Sequence, residues 1–278
     1  MSDRSKKGPE APEKIEERSF AIINEELEAM GISLDLENGP VIRRAIHTTA
    51  DFDYARNLVF SPGAVRRGIE ALENGAVIVT DTNMAKAGIN KKKAESLGVQ
   101  VFCFMADEDV AEEARLRGCT RAVVSMEKSA GLFGNPAAEA VPEGEPFSEG
   151  GECRESTEGR VGRECREGRA GSERREGRAG EKSRENGKRP PVIYAVGNAP
   201  TALQALCRLM DEGKLTPALI VGAPVGFVNV VSSKEELIER QDVPYIVPRG
   251  RKGGSNVAAA IINAMLYQAG VPGKGGTQ

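Results

Sequence analysis

Short apolar runs rich in β-branched residues alternate along this chain with segments of helical spacing. The runs span residues 76–80, 99–105, 192–196 and 218–221, and each has the length of a buried strand. Each run has a helical segment before or after it. Strands that are joined through helices lie parallel in one sheet, and the helices cover both of its faces. The sequence therefore predicts an α/β fold, a single domain with a mainly parallel sheet flanked by helices.

Residues that commonly cap helices mark the ends of several helical segments. The apolar pattern that begins at Ile15 stops before Gly31, which suits the position just after a helix C-terminus. Ser61 followed by Pro62 predicts the N-cap and the first turn of a second helix, and Asp107 predicts the N-cap of a third. Helical patterns also cover residues 91–98, 201–213, 232–240 and 257–267.

The composition changes between residues 135 and 190, where Glu, Arg and Gly dominate. Only Val141, Phe147 and Val161 are large apolar residues in this tract, and the hexapeptide REGRAG occurs twice. A repeated polar tract cannot bury enough apolar surface to offset its ordering entropy. The sequence therefore predicts a polar tail over residues 1–13, one domain formed by residues 14–134 and 191–278, and a disordered insertion over residues 135–190.

The charges and the cysteines exclude several classes of protein. The net charge is −3, and acidic and basic residues nearly balance in the insertion, 13 against 12 between Glu139 and Arg189, so no nucleic-acid partner is expected. The five cysteines form no CxxC pair and no Cys/His cluster, which argues against disulfides and a structural zinc site. No apolar run approaches the roughly 18 residues of a membrane span. We therefore expect a cytoplasmic protein without a membrane partner.

His47 is the only histidine in the chain, and imidazole is the side chain whose unperturbed pKa lies nearest neutrality. Proton transfer near neutral pH is therefore expected here first. Thr48, Thr49 and Asp51 follow closely and could orient the imidazole or a substrate, although Asp51 could equally cap the next helix. A lone histidine beside an apolar stretch is also a common structural residue, so both interpretations stay open at this point.

Glycine-containing loops follow two of the predicted strands, at the sheet edge where ligands bind in parallel sheets. Gly197 and Asn198 follow the run at 192–196, and Gly222 follows the run at 218–221. A third loop, over residues 248–256, places three cations among three glycines. Backbone N–H groups and cations favour an anionic ligand, although each loop taken singly could be a plain connection. None contains a GxGxxG or P-loop motif, so nucleotide binding has no fingerprint here.

Four segments of the chain form a pattern of higher specificity. They are IHTTAD at residues 46–51, YAVGNAPTA at 194–202, VGAPVGFV at 221–228 and RGRKGGSNVA at 249–258. Together they resemble the precorrin-8X methylmutases, which include the cobalt-precorrin-8 methylmutases of cobalamin biosynthesis, over about residues 14–134 and 191–278.

The resemblance implies an activity as well as a fold. It implies an isomerase that moves a methyl group from C-11 to C-12 of the corrin precursor, giving hydrogenobyrinate or, with cobalt present, cobyrinate. It further implies a homodimer that holds its corrinoid substrate near the subunit interface. No dissociable cofactor is implied, because the methyl shift is intramolecular and any cobalt is carried by the substrate.

The resemblance also implies roles for individual residues. His47 matches the catalytic histidine of the family, which implies a general acid that protonates the macrocycle or hydrogen-bonds to it. Precorrins carry acetate and propionate arms, so cations and N–H donors are expected around an apolar slot. The predicted substrate-binding residues are Ser19, Thr48, Thr49, Asp81, Arg121, Gly197, Asn198, Gly222, Arg249, Arg251 and Ser255.

Several of these assignments have plain structural alternatives. Ser19 fits an ordinary polar position on a helix, Asp81 fits a helix N-cap, and Arg249 and Arg251 fit a solvated basic loop. Two other functions also remain open. One is a tetrapyrrole-binding protein without catalysis, and the other is a nucleotide-dependent α/β enzyme, although no acidic ribose partner follows the glycine turns.

Overall fold

The computed structural model describes residues 12–135 and 189–270 of the chain. Its strands are β1 (Leu58–Phe60), β2 (Val77–Thr80), β3 (Gln100–Phe102), β4 (Val192–Val196), β5 (Leu219–Gly222) and β6 (Tyr245–Pro248). They form one sheet with the order β1-β6-β5-β4-β2-β3. All neighbouring pairs are parallel except β1 and β6, which are antiparallel. The predicted α/β fold with a mainly parallel sheet is therefore confirmed.

Helices cover the sheet and connect its strands. Within the two described segments they are α1 (Pro12–Ala29), α2 (Gly39–Thr49), α3 (Tyr54–Asn57), α4 (Ala64–Glu73), α5 (Asn83–Gly88), α6 (Lys91–Ser96), α7 (Glu108–Arg117), α8 (Arg121–Phe133), α9 (Pro200–Asp211), α10 (Val230–Glu239) and α11 (Ser255–Gln268). Gly31 follows α1 with a φ of +68°, as its predicted position after a helix end requires.

The sheet separates two apolar cores. In the central strand β4, Ile193 and Ala195 pack with α2, α4 and α11 on one face. Val192, Tyr194 and Val196 point to the other face and pack with α8, α9 and α10, since successive side chains of a strand alternate between faces. Burial on both faces explains why the strands appear in the sequence as continuous apolar runs.

The sequence pattern predicts four of the six strands. Strand β3 is shorter than the run at 99–105 because it is an edge strand paired with β2 alone, and its register ends where Phe102 meets Val79. Strands β1 and β6 are missing from the prediction. Strand β1 has three residues, and β6 follows Pro244 and ends at Pro248, so its flanks have the composition of a turn.

The predicted N-cap Ser61 is wrong, and the predicted N-cap Asp107 has the correct position without a capping hydrogen bond. In each case a distant residue binds the side chain. Helix α4 begins after Gly63, and the Ser61 hydroxyl accepts the backbone N–H of Tyr245 at 2.9 Å. Asp107 precedes α7 as predicted but makes no capping hydrogen bond, because its carboxylate binds the ammonium of Lys128 at 2.8 Å. Both partners lie on other elements, so no local pattern could identify them.

Some predictions fall where the structure says little. The insertion predicted over residues 135–190 lies outside the described residues except for its ends, and so does most of the predicted polar tail. No helix in the described ranges combines the length and apolar character that crossing a membrane requires. Of the five cysteines, those in the described ranges are free thiols, namely Cys103, Cys119 and Cys207.

Candidate active site

His47 lies in the last turn of α2 with its side chain exposed. Its imidazole stacks on the ring of Phe20 in α1, with ring centroids 5.0 Å apart and planes inclined by 22°. Arg44, one turn earlier, lies over Phe20 at 4.8 Å and over Tyr267 at 4.9 Å, and it forms a salt bridge with Glu16. We call Phe20, Arg44, His47 and Tyr267 the histidine cluster.

The histidine cluster can hold an imidazole in one orientation while leaving it open to a ligand. Phe20 supports one face of the imidazole ring. Phe20 also lines a cleft of about 330 Å³, together with Arg44, Tyr267, Glu16 and Glu17. Stacking of a guanidinium on aromatic rings stabilises the cation in place. Sequence reasoning missed Phe20, Arg44 and Tyr267 as members of the site, because their contacts join three different helices.

The residues that follow His47 make contacts of their own. The hydroxyl of Thr48 donates to the carbonyl of Arg44 at 2.9 Å, and that of Thr49 donates to the carbonyl of Ala45 at 2.8 Å. Both are bonds to the preceding helical turn. The Thr49 oxygen also accepts the backbone N–H of Asp51 at 3.3 Å. The expectation that these hydroxyls orient the imidazole finds no contact in the described residues.

Asp51 connects the end of α2 to a distant loop. Its carboxylate accepts a bond from the ammonium of Lys252 at 2.6 Å and from the backbone N–H of Asp53 at 3.0 Å. The ammonium of Lys252 lowers the pKa of Asp51. The carboxylates of Asp51 and Asp53 in turn raise the pKa of Lys252 to about 12. Asp51 therefore anchors Lys252, and Asp53 occupies the N-cap position of α3.

Asp81 follows β2 and is fully buried. Its carboxylate accepts the backbone N–H groups of Gly197, Asn198 and Ala199, each at 2.8 Å. Burial raises its pKa, and the three N–H donors oppose that rise because they stabilise the carboxylate. The N-cap alternative is wrong, since Thr82 caps α5 by accepting the N–H of Ala85 at 3.0 Å. Asp81 shapes the loop before α9.

The loop glycines allow protein segments to pack closely. A Cβ on Gly197 would lie 2.6 Å from the Cα of Ser255, and one on Gly222 would lie 2.9 Å from a methyl group of Leu237. Both glycines are buried, and Ser255, also buried, has its hydroxyl 2.8 Å from that of Thr82. In the loop at residues 197–199, the exposed side chain is that of Asn198.

Replacing Gly197 with alanine should destabilise the protein by about 2 kcal/mol or more, because the new methyl group meets backbone atoms that cannot move aside. Gly131→Ala is the matched control: Gly131 lies within α8 with open space around its Cα, and alanine is the better helix former there by up to about 1 kcal/mol. Urea unfolding of both variants measures the difference. Equal stabilities would show that the 197 and 255 segments can separate freely.

The segment 249–254, which we call the basic loop, follows β6 and carries three cations. Arg249 pairs with Glu235 at 3.3 Å, and Lys252 pairs with Asp51 and Asp53. The guanidinium of Arg251 is exposed and lies 5.2 Å from the ring centroid of Phe227. Among the described residues, Arg251 is in no salt bridge, so it is the cation of this loop that is available to a ligand.

Exposed apolar side chains lie next to Arg251. Phe227 and Val228 are 79% and 78% exposed, and Val225 and Val231 are also exposed. The backbone N–H of Gly226 donates to the carbonyl of Arg251 at 3.3 Å, which joins the two loops. We call Val225, Phe227 and Val228 the apolar tip. An apolar surface beside a free guanidinium suits a ligand with a flat apolar body and carboxylate arms.

The two remaining predicted residues lie on helices. Arg121 is exposed and is the first residue of α8, whose N-cap, Thr120, shares a hydrogen bond of 2.9 Å with Thr201 in α9. Ser19 lies beside Phe20 in α1, and its hydroxyl donates to the carbonyl of Ile15 at 2.8 Å, which is the geometry of an ordinary helix serine.

The structure thus brings part of the predicted site together. Asp81, Asn198 and the basic loop follow β2, β4 and β6, and Gly222 ends β5, so these residues share the carboxyl edge of the sheet. The bond from Lys252 to Asp51 connects that edge to the end of α2, four residues after His47. No group of three or more His, Cys, Asp or Glu residues that could hold a metal ion occurs in the described ranges.

Comparison with known proteins identifies the family of this chain. The family model described as "Precorrin-8X methylmutase" matches residues 14–137 and 166–268. A cobalt-precorrin-8 methylmutase of Priestia megaterium is 35% identical over 266 residues, covering 95% of this chain and 92% of the relative. A precorrin-8X methylmutase of Pseudomonas aeruginosa is 33% identical over 255 residues, covering 91% and 94%.

The fold comparison gives the same result. The crystal structure of a precorrin-8X methylmutase from Thermus thermophilus superposes with a TM-score of 0.65 at 32% identity, covering 92% of this chain and 95% of that one. The similarity between the two structures extends over nearly the whole length of both chains.

Proposed function

The chain belongs to the precorrin-8X methylmutase family, and from this we propose that its histidine cluster, apolar tip and basic loop form the site of the methyl migration. The protein is an isomerase of cobalamin biosynthesis. Its reaction moves a methyl group from C-11 to C-12 of the corrin precursor. The observation that supports the site is the exposed imidazole of His47, held by stacking on Phe20.

The methyl shift needs little from the protein beyond binding and proton placement. The migrating group stays within one molecule, so the chain supplies no methyl donor and no redox group. It must stabilise the charge redistribution of the rearrangement more than it stabilises the bound substrate. We assign His47 as the general acid that protonates the macrocycle or hydrogen-bonds to it. Phe20 fixes the plane of the imidazole, and Arg44 supplies positive charge one turn away.

Substrate recognition is assigned to groups that the structure leaves accessible. The apolar tip would contact the face of the macrocycle, while Arg251, Arg121 and the side chain of Asn198 would bind its carboxylate arms. Asp81, Gly197, Gly222 and Ser255 are buried, so their proposed contribution is the shape of the loops. Ser19, Thr48, Thr49 and Arg249 stay proposed substrate contacts on the basis of the sequence.

The proposed function is tested by incubating the protein with precorrin-8 and, separately, with its cobalt form, and following the absorption spectrum. Conversion of either to the rearranged product identifies the substrate and supports the assignment. A spectral change that reflects binding without conversion would favour a tetrapyrrole-binding protein instead. We propose that the protein needs no dissociable cofactor, and turnover by protein dialysed against a chelator tests this.

Arg251→Met should lower affinity for the corrinoid product by about tenfold, because a desolvated charge-assisted bond to a carboxylate contributes roughly 1.5–3 kcal/mol. Higher salt should weaken the wild type more than the variant, since part of the attraction is screened Coulomb energy. Arg115→Met, at an exposed position on α7, is the control and should bind like the wild type. Titration of the coloured product at two salt concentrations measures both effects, and identical titrations for all three proteins would remove Arg251 from the site.

We propose that the protein is a homodimer joined through the α1 face. Ile15, Ile22 and Met30 are each about half exposed on one side of α1 or just after it, and the exposed His47 stacks on Phe20 of this helix. A second copy would cover these apolar side chains and could close the site over His47. The cytoplasmic location stays a prediction from the sequence.

Ile22→Glu should therefore shift the protein from dimer to monomer, because it places a charge in an apolar interface. Leu132→Glu, at an exposed position on α8, is the control and should leave the mass unchanged. Sedimentation equilibrium measures the mass of each. A monomeric wild type, or an unchanged dimer in Ile22→Glu, would contradict the α1 interface.

A further inference from the structure

Lys234 in α10 has no exposed surface. Its ammonium donates to the carbonyl oxygens of Gly250, at 2.9 Å, and Lys252, at 2.7 Å. Burial lowers the pKa of Lys234 to about 8, because the charged form loses its hydration. Its two partners are backbone carbonyls and not a carboxylate, which is an expensive arrangement for a buried cation. A methionine would fill the same space without this free-energy cost of burying a charge. The specific contribution of the ammonium is therefore its pair of hydrogen bonds to the basic loop.

Other contacts fix the two ends of the basic loop. At its start the N–H of Arg249 donates to the carbonyl of Asn57 at 2.8 Å, and at its end the N–H of Gly254 donates to the carbonyl of Ala223 at 2.8 Å. Lys234 holds the part between these ends, where the chain bends through Gly250 at a φ of +75°.

The two carbonyls that Lys234 binds lie on either side of Arg251 in the sequence. The bonds from Lys234 therefore fix the backbone on both sides of Arg251. Among the described residues, Arg251 is the basic-loop cation that forms no salt bridge. The guanidinium itself is supported by the ring of Phe227. A side chain held in its binding geometry loses less freedom when a ligand arrives, so it binds more tightly.

We propose that Lys234 is a positioning residue, which holds the carbonyls of Gly250 and Lys252 so that Arg251 is presented to a carboxylate arm of the substrate. This inference rests on the proposed function and adds a residue that does not touch the substrate. No sequence pattern indicated this role, since lysines on amphipathic helices are mostly exposed.

The kinetic test compares Lys234→Met, Arg251→Met and the double variant with the wild type. Lys234→Met should raise KM by about tenfold and leave kcat within about threefold, because it weakens binding rather than chemistry. In the Arg251→Met background the same change should alter KM by less than about twofold, since the two residues act through one contact. Lys92→Met, at an exposed position on α6, is the control and should leave KM unchanged.

A second measurement needs no substrate. We expect trypsin to cleave after Arg249, Arg251 and Lys252 when the loop leaves its folded position, and mass spectrometry identifies these cuts. Lys234→Met should speed them by about tenfold or more, whereas Lys92→Met should not. Gly250→Ala is a milder variant, because a Cβ there meets open space but disfavours the positive φ. It should loosen the loop and raise KM even if Lys234→Met does not fold.

The results separate this inference from the proposed function. Unchanged KM in folded Lys234→Met or in Gly250→Ala, or an equal rise of KM with and without Arg251, would overturn the positioning role. Slow cleavage of the loop in both variants would overturn it as well. A wild type that converts neither form of precorrin-8 would overturn the proposed function, while the cleavage rates would still show whether Lys234 holds the loop.

Discussion

Replacing His47 with alanine is expected to lower turnover of the methylmutase reaction by about 100-fold or more, the usual contribution of a general acid. The change removes the only imidazole of the chain from an exposed position, where no packed core depends on it. Product affinity should fall much less than turnover, because proton placement contributes to the transition state more than to binding. Initial rates and product titration with the purified variant measure the two effects.

Thr48→Val is the comparison variant that separates chemistry from binding. Thr48 is adjacent and exposed, and its hydroxyl donates to a carbonyl of its own helix. As a proposed substrate contact it should affect product affinity, whereas turnover should stay within about threefold of the wild type. Wild-type turnover in His47→Ala would remove the histidine from the mechanism. A loss of equal size in Thr48→Val would indicate that α2 tolerates no change near its end.

Asp81→Ala should destabilise the protein by roughly 3–5 kcal/mol, the largest effect we expect from a single substitution. The change leaves the backbone N–H groups of Gly197, Asn198 and Ala199 without the carboxylate that they now share. It also leaves a void at a fully buried position. Because these N–H groups shape the loop before α9, we expect product affinity to fall as well. Urea unfolding and product titration measure both.

Asp109→Ala is the control for that experiment. The Asp109 side chain is 66% exposed and pairs with Lys128 at the surface, where an ion pair contributes at most about 1 kcal/mol. Asp81→Asn keeps the shape of the side chain but one of its oxygens becomes a donor, so its stability should lie between that of the wild type and that of Asp81→Ala. Wild-type stability in Asp81→Ala would mean that the loop finds other acceptors.

The fold could be predicted where burial leaves a strong pattern. Strand β4 is apolar at every position because both of its faces are covered, and β2 and β5 are likewise buried at every position. Strand β6 is equally buried, but Pro244 before it and Pro248 at its end are typical of a turn. Local propensity therefore failed at the strand where tertiary pairing decides the structure.

The candidate site was predictable in its loops and less so in its contacts. The glycine loops could be placed at the carboxyl edge because that edge is common to all parallel strands. The role of Asp81 could not be predicted, since its partner Gly197 is 116 residues away in the sequence. A carboxylate after a strand also resembles a helix cap. Phe20 and Lys234 were missed for the same reason, because a stacking partner and a buried ammonium leave no local signal in the sequence.

The strand order has a consequence for how the chain folds as it leaves the ribosome. Residues 12–135 supply β1, β2 and β3, and residues 189–270 supply β4, β5 and β6, yet the sheet order is β1-β6-β5-β4-β2-β3. The later strands therefore fill a gap of three positions between β1 and β2. Until β4 has been synthesised, β2 keeps an open edge, and β1 has no neighbour before β6 exists. Once β2 and β3 have paired, β4, β5 and β6 can join the sheet in the order of their synthesis. Strand β1, the first to be synthesised, waits longest, because its partner β6 is the last strand to emerge.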